Sequence, residues 1–86
     1  MKWIYAIALM LSAHSALALD INFANEAELD SIKGMGPSLS AKVLEARTQG
    51  PFKDWTDLMH RVSGIQKNKA KQFAQQGVTV NGQTLP

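Results

Sequence analysis

The chain has 86 residues, no cysteine and a formal net charge of +2 at pH 7. This length is enough for one domain only, and the absence of cysteine excludes a disulfide framework and a thiolate zinc site. The bulk charge is not that of a strongly basic protein, so an anionic partner would have to be bound by a local surface.

The N-terminal segment has the pattern of a secretory signal. Lys2 precedes an apolar run over residues 3–11, and Ala16-Leu17-Ala18 fits the small-x-small pattern that signal peptidase recognises. We therefore predict a cleaved signal peptide over residues 1–18 and an exported protein. The alternative is an uncleaved membrane anchor, because residues 3–19 nearly reach the roughly 20 residues that a membrane span needs.

The charges of the remaining chain are unevenly distributed. Without Lys2, eight basic and seven acidic side chains are left. Acidic residues outnumber basic ones over residues 19–50, and basic residues outnumber acidic ones over residues 51–86. Such an asymmetry favours an anionic partner on one face.

The chain after the signal predicts an all-α domain of four to five short helices. In order, the domain covers residues 19–80, with helices at 25–33, 37–48, 55–62 and 67–75, an extended piece at 78–80 and a loose C-terminal tail at 81–86. Asn25 and Glu28 match a capping box for the first helix, and Asp54 is a predicted N-cap for the third. Gly50-Pro51 ends the second helix, and Gly77 ends the fourth.

The predicted core consists of apolar residues at helical spacing. They are Leu29, Ile32, Met35, Leu39, Val43, Leu44, Phe52, Trp55, Met59, Val62, Ile65 and Phe73. Burying such a side chain stabilises a fold by roughly 1.5–3 kcal/mol. Because no disulfide is available, the stability of so small a domain must come from this packing.

A glycine turn joins the first two helices. Gly34 and Gly36 can adopt positive φ, and Pro37 suits the first turn of a helix. Free N–H groups of the turn and of the next helix then point outward at the positive end of the helix dipole, and Ser38 adds a hydroxyl donor. This arrangement binds phosphate. The alternative is an ordinary glycine C-cap before a helix that starts with proline.

The turn is repeated later in the chain. Gly64 follows Gly34 by 30 positions, and the neighbouring residues align without a gap. The aligned pairs are Leu29 with Met59, Ile32 with Val62, Met35 with Ile65, Ser40 with Ala70, and Val43 with Phe73. A repeated helix-turn-helix unit is a stronger signal than either copy alone. It predicts a second phosphate seat at Gly64, Ile65 and the start of the last helix.

The repeated pattern resembles the helix-hairpin-helix motif, and its duplication is similar to the tandem DNA-binding domain of the ComEA-like competence family. Gly50-Pro51-Phe52 resembles that family's junction between motifs, and Ile21-Asn22-Phe23-Ala24 resembles its lead-in segment. The similarity runs from Ile21 to Val80. It implies two hairpins, related by a pseudo-two-fold axis, that each hold one strand of double-stranded DNA across the minor groove.

The same resemblance implies a biological setting. The protein would act in the periplasm, capturing or retracting DNA during natural transformation, with other components of the DNA-uptake machinery as further partners. One position departs from the family pattern, because Gln66 stands where a glycine is expected. Its Cβ holds the second turn farther from a phosphate, and the flexible charges of Lys67, Lys69 and Lys71 offset that loss.

The candidate DNA-binding residues combine the two turns with nearby lysines. They are Lys33, Gly34, Met35, Gly36, Ser38, Lys42, Gly64, Ile65, Gln66, Lys67, Lys69 and Lys71. None of them is placed to read base edges, so we expect binding that is independent of sequence and strongly dependent on salt. For any single lysine, the alternative is a solvated helix face.

Other functions are less well supported by the residues. His60 has no cysteine and no nucleophile near it in sequence, and it is the single histidine left after the predicted signal peptide, which is too few for zinc. We therefore expect no enzymatic activity, no cofactor, no metal and no small-molecule substrate. The alternative function is a small helical protein-interaction module with degenerate hairpins, which the low net charge and Gln66 favour.

Overall fold

A computed structural model describes residues 18–86, so the predicted signal peptide lies outside the described residues except for Ala18. The described part is all-helical, as predicted. It contains α1 (Glu26–Asp30), α2 (Gly36–Arg47), α3 (Trp55–Arg61) and α4 (Lys67–Gln75), with two isolated β-bridges and no strand. None of these helices has the length and apolar character needed to cross a membrane.

Side-chain hydrogen bonds cap the N-termini of α1 and α3. In α1 the Asn25 side chain accepts from the Glu28 amide at 2.8 Å, and the Asn25 amide donates to the Glu28 carboxylate at 2.9 Å. In α3 the Asp54 carboxylate accepts from the Asp57 amide at 2.7 Å. Both predicted caps are confirmed. However, α1 ends at Asp30 and not at residue 33, because the chain tightens into a turn directly after it.

The sequence repeat is visible in the core. The aligned pairs Ile32 and Val62, Met35 and Ile65, Ser40 and Ala70, and Val43 and Phe73 are all at most 2% exposed. The aligned pair Leu29 and Met59 does not match in burial. Leu29 is fully buried, whereas Met59 is half-buried and its neighbour Leu58 is fully buried instead. Since α3 begins at Trp55, positions 55 and 58 share its inner face, and position 59 falls on its flank.

The remaining differences from the predicted core lie at its edges. Leu39 and Leu44 are half-buried and pack against the core from outside. Ile21, Val78 and Val80, which the helical spacing did not indicate, are fully enclosed. The two valines belong to the extended piece at residues 78–80, so that piece packs into the core of the domain.

The C-terminal tail, expected to be loose, is held against the helices. The buried Trp55 indole N–H donates to the Gln83 carbonyl at 2.9 Å, and the Gln83 amide donates to the Val80 carbonyl at 2.9 Å. Leu85 is half-buried and packs on the core. The physical reason is that a buried indole N–H needs an acceptor, and this one finds it far along the chain.

Asp20 joins the two ends of the domain. Its carboxylate accepts from the Gly82 amide at 2.7 Å, the Asn22 amide at 2.9 Å, the Thr79 hydroxyl at 2.8 Å and the Asn81 amide at 3.2 Å. Partial burial raises the pKa of Asp20, but these four hydrogen bonds outweigh it and hold the pKa below its ordinary value of 3.8.

This carboxylate makes the stability of the domain depend on pH. Because the folded-state pKa is lowered, the stabilisation is fully present above the unfolded pKa and is lost as the pH falls through the folded one. We expect Asp20→Asn to be less stable than wild type near neutral pH, and to lose less stability between about pH 6 and about pH 3. Thermal unfolding of the two proteins, followed by circular dichroism across this pH range, measures the stability at neutral pH and its loss at lower pH. Equal losses in the two proteins would contradict the role of Asp20.

Candidate nucleic-acid interface

The two glycine turns have the same backbone conformation at their first glycine. Gly34 and Gly64 adopt φ values of +94° and +103°. The next residue in each turn is buried, and its amide donates to the carbonyl three residues earlier, at 3.0 Å for Met35 and 3.2 Å for Ile65. Met35 and Ile65 therefore anchor their turns from inside, and the amide of Ile65 is not free, in contrast to its predicted place in the second phosphate seat.

Exposed amides without an internal acceptor remain at both turns. Within residues 18–86, no acceptor lies in hydrogen-bonding range of the amides of Gly34, Gly36 and Ser38, or of Gly64, Gln66 and Lys67. Neither α2 nor α4 has a side-chain cap at its start. Because the first amides of a helix carry the positive end of its dipole, each turn presents donors that an anionic oxygen can accept from.

The two turns differ where Gln66 replaces the expected glycine. Gly36 has a φ of +70°, whereas Gln66 has a φ of −107° and is the extended N-cap of α4. The reason is that positive φ is unfavourable for a residue with a Cβ. A Cβ built on Gly36 would meet no protein atom within 4 Å. The first turn therefore leaves its backbone open to close approach, and the second carries an exposed side chain at that position.

Matched contacts place the two turns side by side. A Cβ built on Gly64 would lie 3.1 Å from Cδ1 of Leu39, in α2. The residue 30 positions after Leu39 is Lys69, and its Nζ donates to the Gly34 carbonyl at 2.7 Å. Each helix that follows one turn thus touches the other turn. These reciprocal contacts are those of a pseudo-two-fold arrangement with both turns at the same end of the helix pair.

Lys33 and Ser63, the matched residues before the two turns, also contact the other repeat, although their partners Gln76 and Lys42 are not matched positions. The Gln76 amide group accepts from the Lys33 amide at 2.9 Å and donates to the Lys33 carbonyl at 2.9 Å. On the matching side, Lys42 Nζ lies 3.4 Å from Ser63 Oγ. A Cβ on Gly34 would come within 2.8 Å of the Gln72 side chain. Gln72 and Gln76 were missed by the sequence analysis, although their spacing of four places them on one face of α4.

The three predicted DNA-binding lysines of α4 lie on different faces of the helix. Lys69 is half-buried and bonded to the first turn, whereas Lys67 and Lys71 lie one helical turn apart on another face. Lys67 and Lys71 line a groove with Trp55 and Leu85. Lys33, Lys67 and Lys71 are exposed, and within residues 18–86 their ammonium groups have no hydrogen-bond partner.

The two arginines of the helical region are used inside the fold. Arg47 donates to the carbonyls of Ile21 at 2.9 Å and Ala24 at 2.7 Å. Arg61 lies over the Phe52 ring, with its guanidinium carbon 4.4 Å from the ring centroid, and donates to nearby main-chain carbonyls. The positive charge available to a ligand near the turns therefore comes from lysines and from helix ends.

The described residues do not meet the requirements of a metal site or of an unpartnered buried polar site. Within residues 18–86, no three His, Cys, Asp or Glu side chains are placed to hold a metal ion, and His60 is exposed, as expected. No buried polar side-chain atom of this part lacks a partner; the buried Ser40 hydroxyl, for example, donates to Asp30 at 2.6 Å. The unpartnered donors of the two turns are thus exposed main-chain amides and not buried side chains.

Comparison with known proteins identifies the motif. A sequence model of one protein family, described as the helix-hairpin-helix motif, matches residues 14–77. No curated protein and no solved structure shows a significant match to the chain. The matched range contains α1 to α4 and both glycine turns.

Proposed function

This chain belongs to the helix-hairpin-helix family, and we propose that it binds double-stranded DNA through the sugar-phosphate backbone without reading base sequence. Nucleic-acid binding in general is the function that the family match supports. The observation that carries the finer proposal is the pair of adjacent glycine turns whose exposed amides have no internal acceptor.

The geometry supports simultaneous binding to the phosphates of both DNA strands. Phosphate oxygens accept from the free amides at the starts of α2 and α4, where the helix dipoles favour negative charge. Gly36 allows the first turn to approach a phosphate closely, since no Cβ stands in the way. Lys33 and Lys67, which flank the two turns and are exposed, add charge. Because the turns are side by side, they can contact the two strands across a minor groove.

The proposal extends to export and to a ComEA-like role in DNA uptake during natural transformation. It is supported by the signal pattern over residues 1–18 and by a contact of Leu19, the residue that follows this pattern. The Leu19 carbonyl accepts from the Thr79 amide at 2.9 Å. Cleavage after Ala18 would therefore keep this hydrogen bond, and a retained anchor would hold the same domain at a membrane.

Titration of a random-sequence duplex, followed by fluorescence anisotropy at two salt concentrations, tests the binding. We expect micromolar affinity that falls steeply with salt and is equal for unrelated sequences. Lys67→Glu should weaken binding to every duplex and reduce the salt slope by about one. Lys67 is the better choice than Lys69, because a change at Lys69 also breaks its bond to the Gly34 carbonyl.

Lys53→Glu is the matched control for Lys67→Glu. It makes the same charge change at an exposed lysine that precedes α3, at the end of that helix opposite to the Gly64 turn. Retained binding in Lys53→Glu and weakened binding in Lys67→Glu would place the contact at the second turn. If both variants bind as wild type does, the lysine contributes nothing to DNA binding.

The second candidate function, a protein-interaction module with degenerate hairpins, has one specific observation in its favour. Gln66 prevents the second turn from adopting the left-handed conformation that Gly36 adopts in the first. In the same titration, no detectable binding at low salt would favour this function over DNA binding.

A further inference from the structure

Two surfaces of the domain are chemically complementary to each other. The first surrounds Phe23, which is 82% exposed and is the one large hydrophobic side chain exposed in the part of the chain that the structure describes. Phe23 and the exposed Glu28 line the same shallow depression. This surface, the Phe23 knob, thus combines an aromatic ring in water with an acidic neighbour.

The second surface is a groove between α3, α4 and the C-terminal tail. Its volume is about 340 Å³, which is within the range of roughly 300–1,000 Å³ typical of ligand pockets. Met59 and Leu85 give it apolar walls, and Lys67 and Lys71 stand at its side with no ion-pair partner among residues 18–86. The exposed Thr56 lies on its α3 side.

We propose that the Phe23 knob of one copy of this chain inserts into the groove of a second copy. The ring is then removed from water between Met59 and Leu85, and Glu28 lies opposite Lys67 and Lys71. The charge pattern argues for a second copy as the occupant, because each surface carries the sign that the other lacks. This self-association goes beyond DNA binding and does not depend on it.

The two surfaces are different, so the contact is heterologous. Each copy keeps one free knob and one free groove after a single contact, and such contacts build rings or open chains. The area covered by one aromatic side chain and its rim is at the low end for protein interfaces, so the association is weak and concentration-dependent.

Sedimentation velocity of the purified protein over a concentration series, without DNA and at low salt, tests the proposal. Phe23→Ser removes the knob, and Thr56→Glu places a negative charge in the groove opposite Glu28. Each variant alone should associate about tenfold more weakly than wild type or worse. An equimolar mixture should form heterodimers and nothing larger, because the intact knob of Thr56→Glu fits the intact groove of Phe23→Ser.

Thr56→Lys is the matched control, because it changes the same exposed position and keeps the attraction to Glu28. It should associate as well as wild type, and circular dichroism should show the same helix content in all variants. Wild type that stays monomeric, or Phe23→Ser and Thr56→Glu variants that associate as wild type does, would overturn the proposal. So would a mixture that stays monomeric. Binding of a short duplex by Phe23→Ser should be unchanged, so failure of this proposal is distinguishable from failure of DNA binding.

Discussion

Phe52→Ala is expected to lower the free energy of unfolding by about 3–5 kcal/mol, the range for removing a buried phenyl ring. Phe52 is fully buried at the junction of the two halves, and its ring carries the guanidinium of Arg61. Its main chain is held by Asn22, whose side chain accepts from the Phe52 amide at 2.7 Å and donates to its carbonyl at 2.9 Å. The loss is a large part of the roughly 5–15 kcal/mol that stabilises a typical domain.

Phe23→Ala is the matched control for this prediction. It makes the same substitution at a side chain that is 82% exposed, so the change in stability should stay within about 0.5 kcal/mol. Urea denaturation followed by circular dichroism, at a protein concentration too low for self-association, compares the two. Equal midpoints for Phe52→Ala and wild type would show that the core assignment is wrong. Trp55→Ala should act in the same direction as Phe52→Ala, since it also removes the indole N–H that donates to the Gln83 carbonyl.

Local patterns predicted those parts of the fold that local interactions determine. Asn25 and Glu28 cap each other across three positions, so the start of α1 could be read directly from the sequence. The repeat of 30 residues predicted which positions are buried together, because the same unit must pack the same face twice. It failed at Met59, where the start of α3 sets the inner face and brings Leu58 inward.

Contacts between positions far apart in the sequence determine the features that the local patterns did not predict. The tail is ordered because Gln83 accepts from Trp55 and Gly82 donates to Asp20, and no pattern within residues 81–86 shows this. Likewise, a row of alternating lysines in α4 does not show that Lys69 reaches the Gly34 carbonyl. For the candidate site, the sequence therefore indicated the two turns but not which of their amides and lysines remain free.

Gly36→Ala should separate the role of the first turn in binding from its role in the fold. An added Cβ meets no protein atom within 4 Å, so the main structural cost is the φ of +70°, about 1–2 kcal/mol for a residue other than glycine. If the turn approaches a phosphate, the methyl group occupies the space that the phosphate needs. We expect DNA affinity to fall at least tenfold, or about 1.4 kcal/mol, while the helix content is retained.

Gly82→Ala supplies the comparison that makes this outcome decisive. Gly82 has a φ of +76°, and an added Cβ there also meets no protein atom within 4 Å, so the two variants carry nearly the same backbone strain. Gly82 lies in the C-terminal turn and not beside either of the two glycine turns. Thermal unfolding should show similar losses of stability for both, and anisotropy titrations should show weakened binding for Gly36→Ala alone. Equal affinities in the two variants would mean that the backbone at Gly36 does not come close to the DNA, because strain is matched and only the position of the methyl group differs.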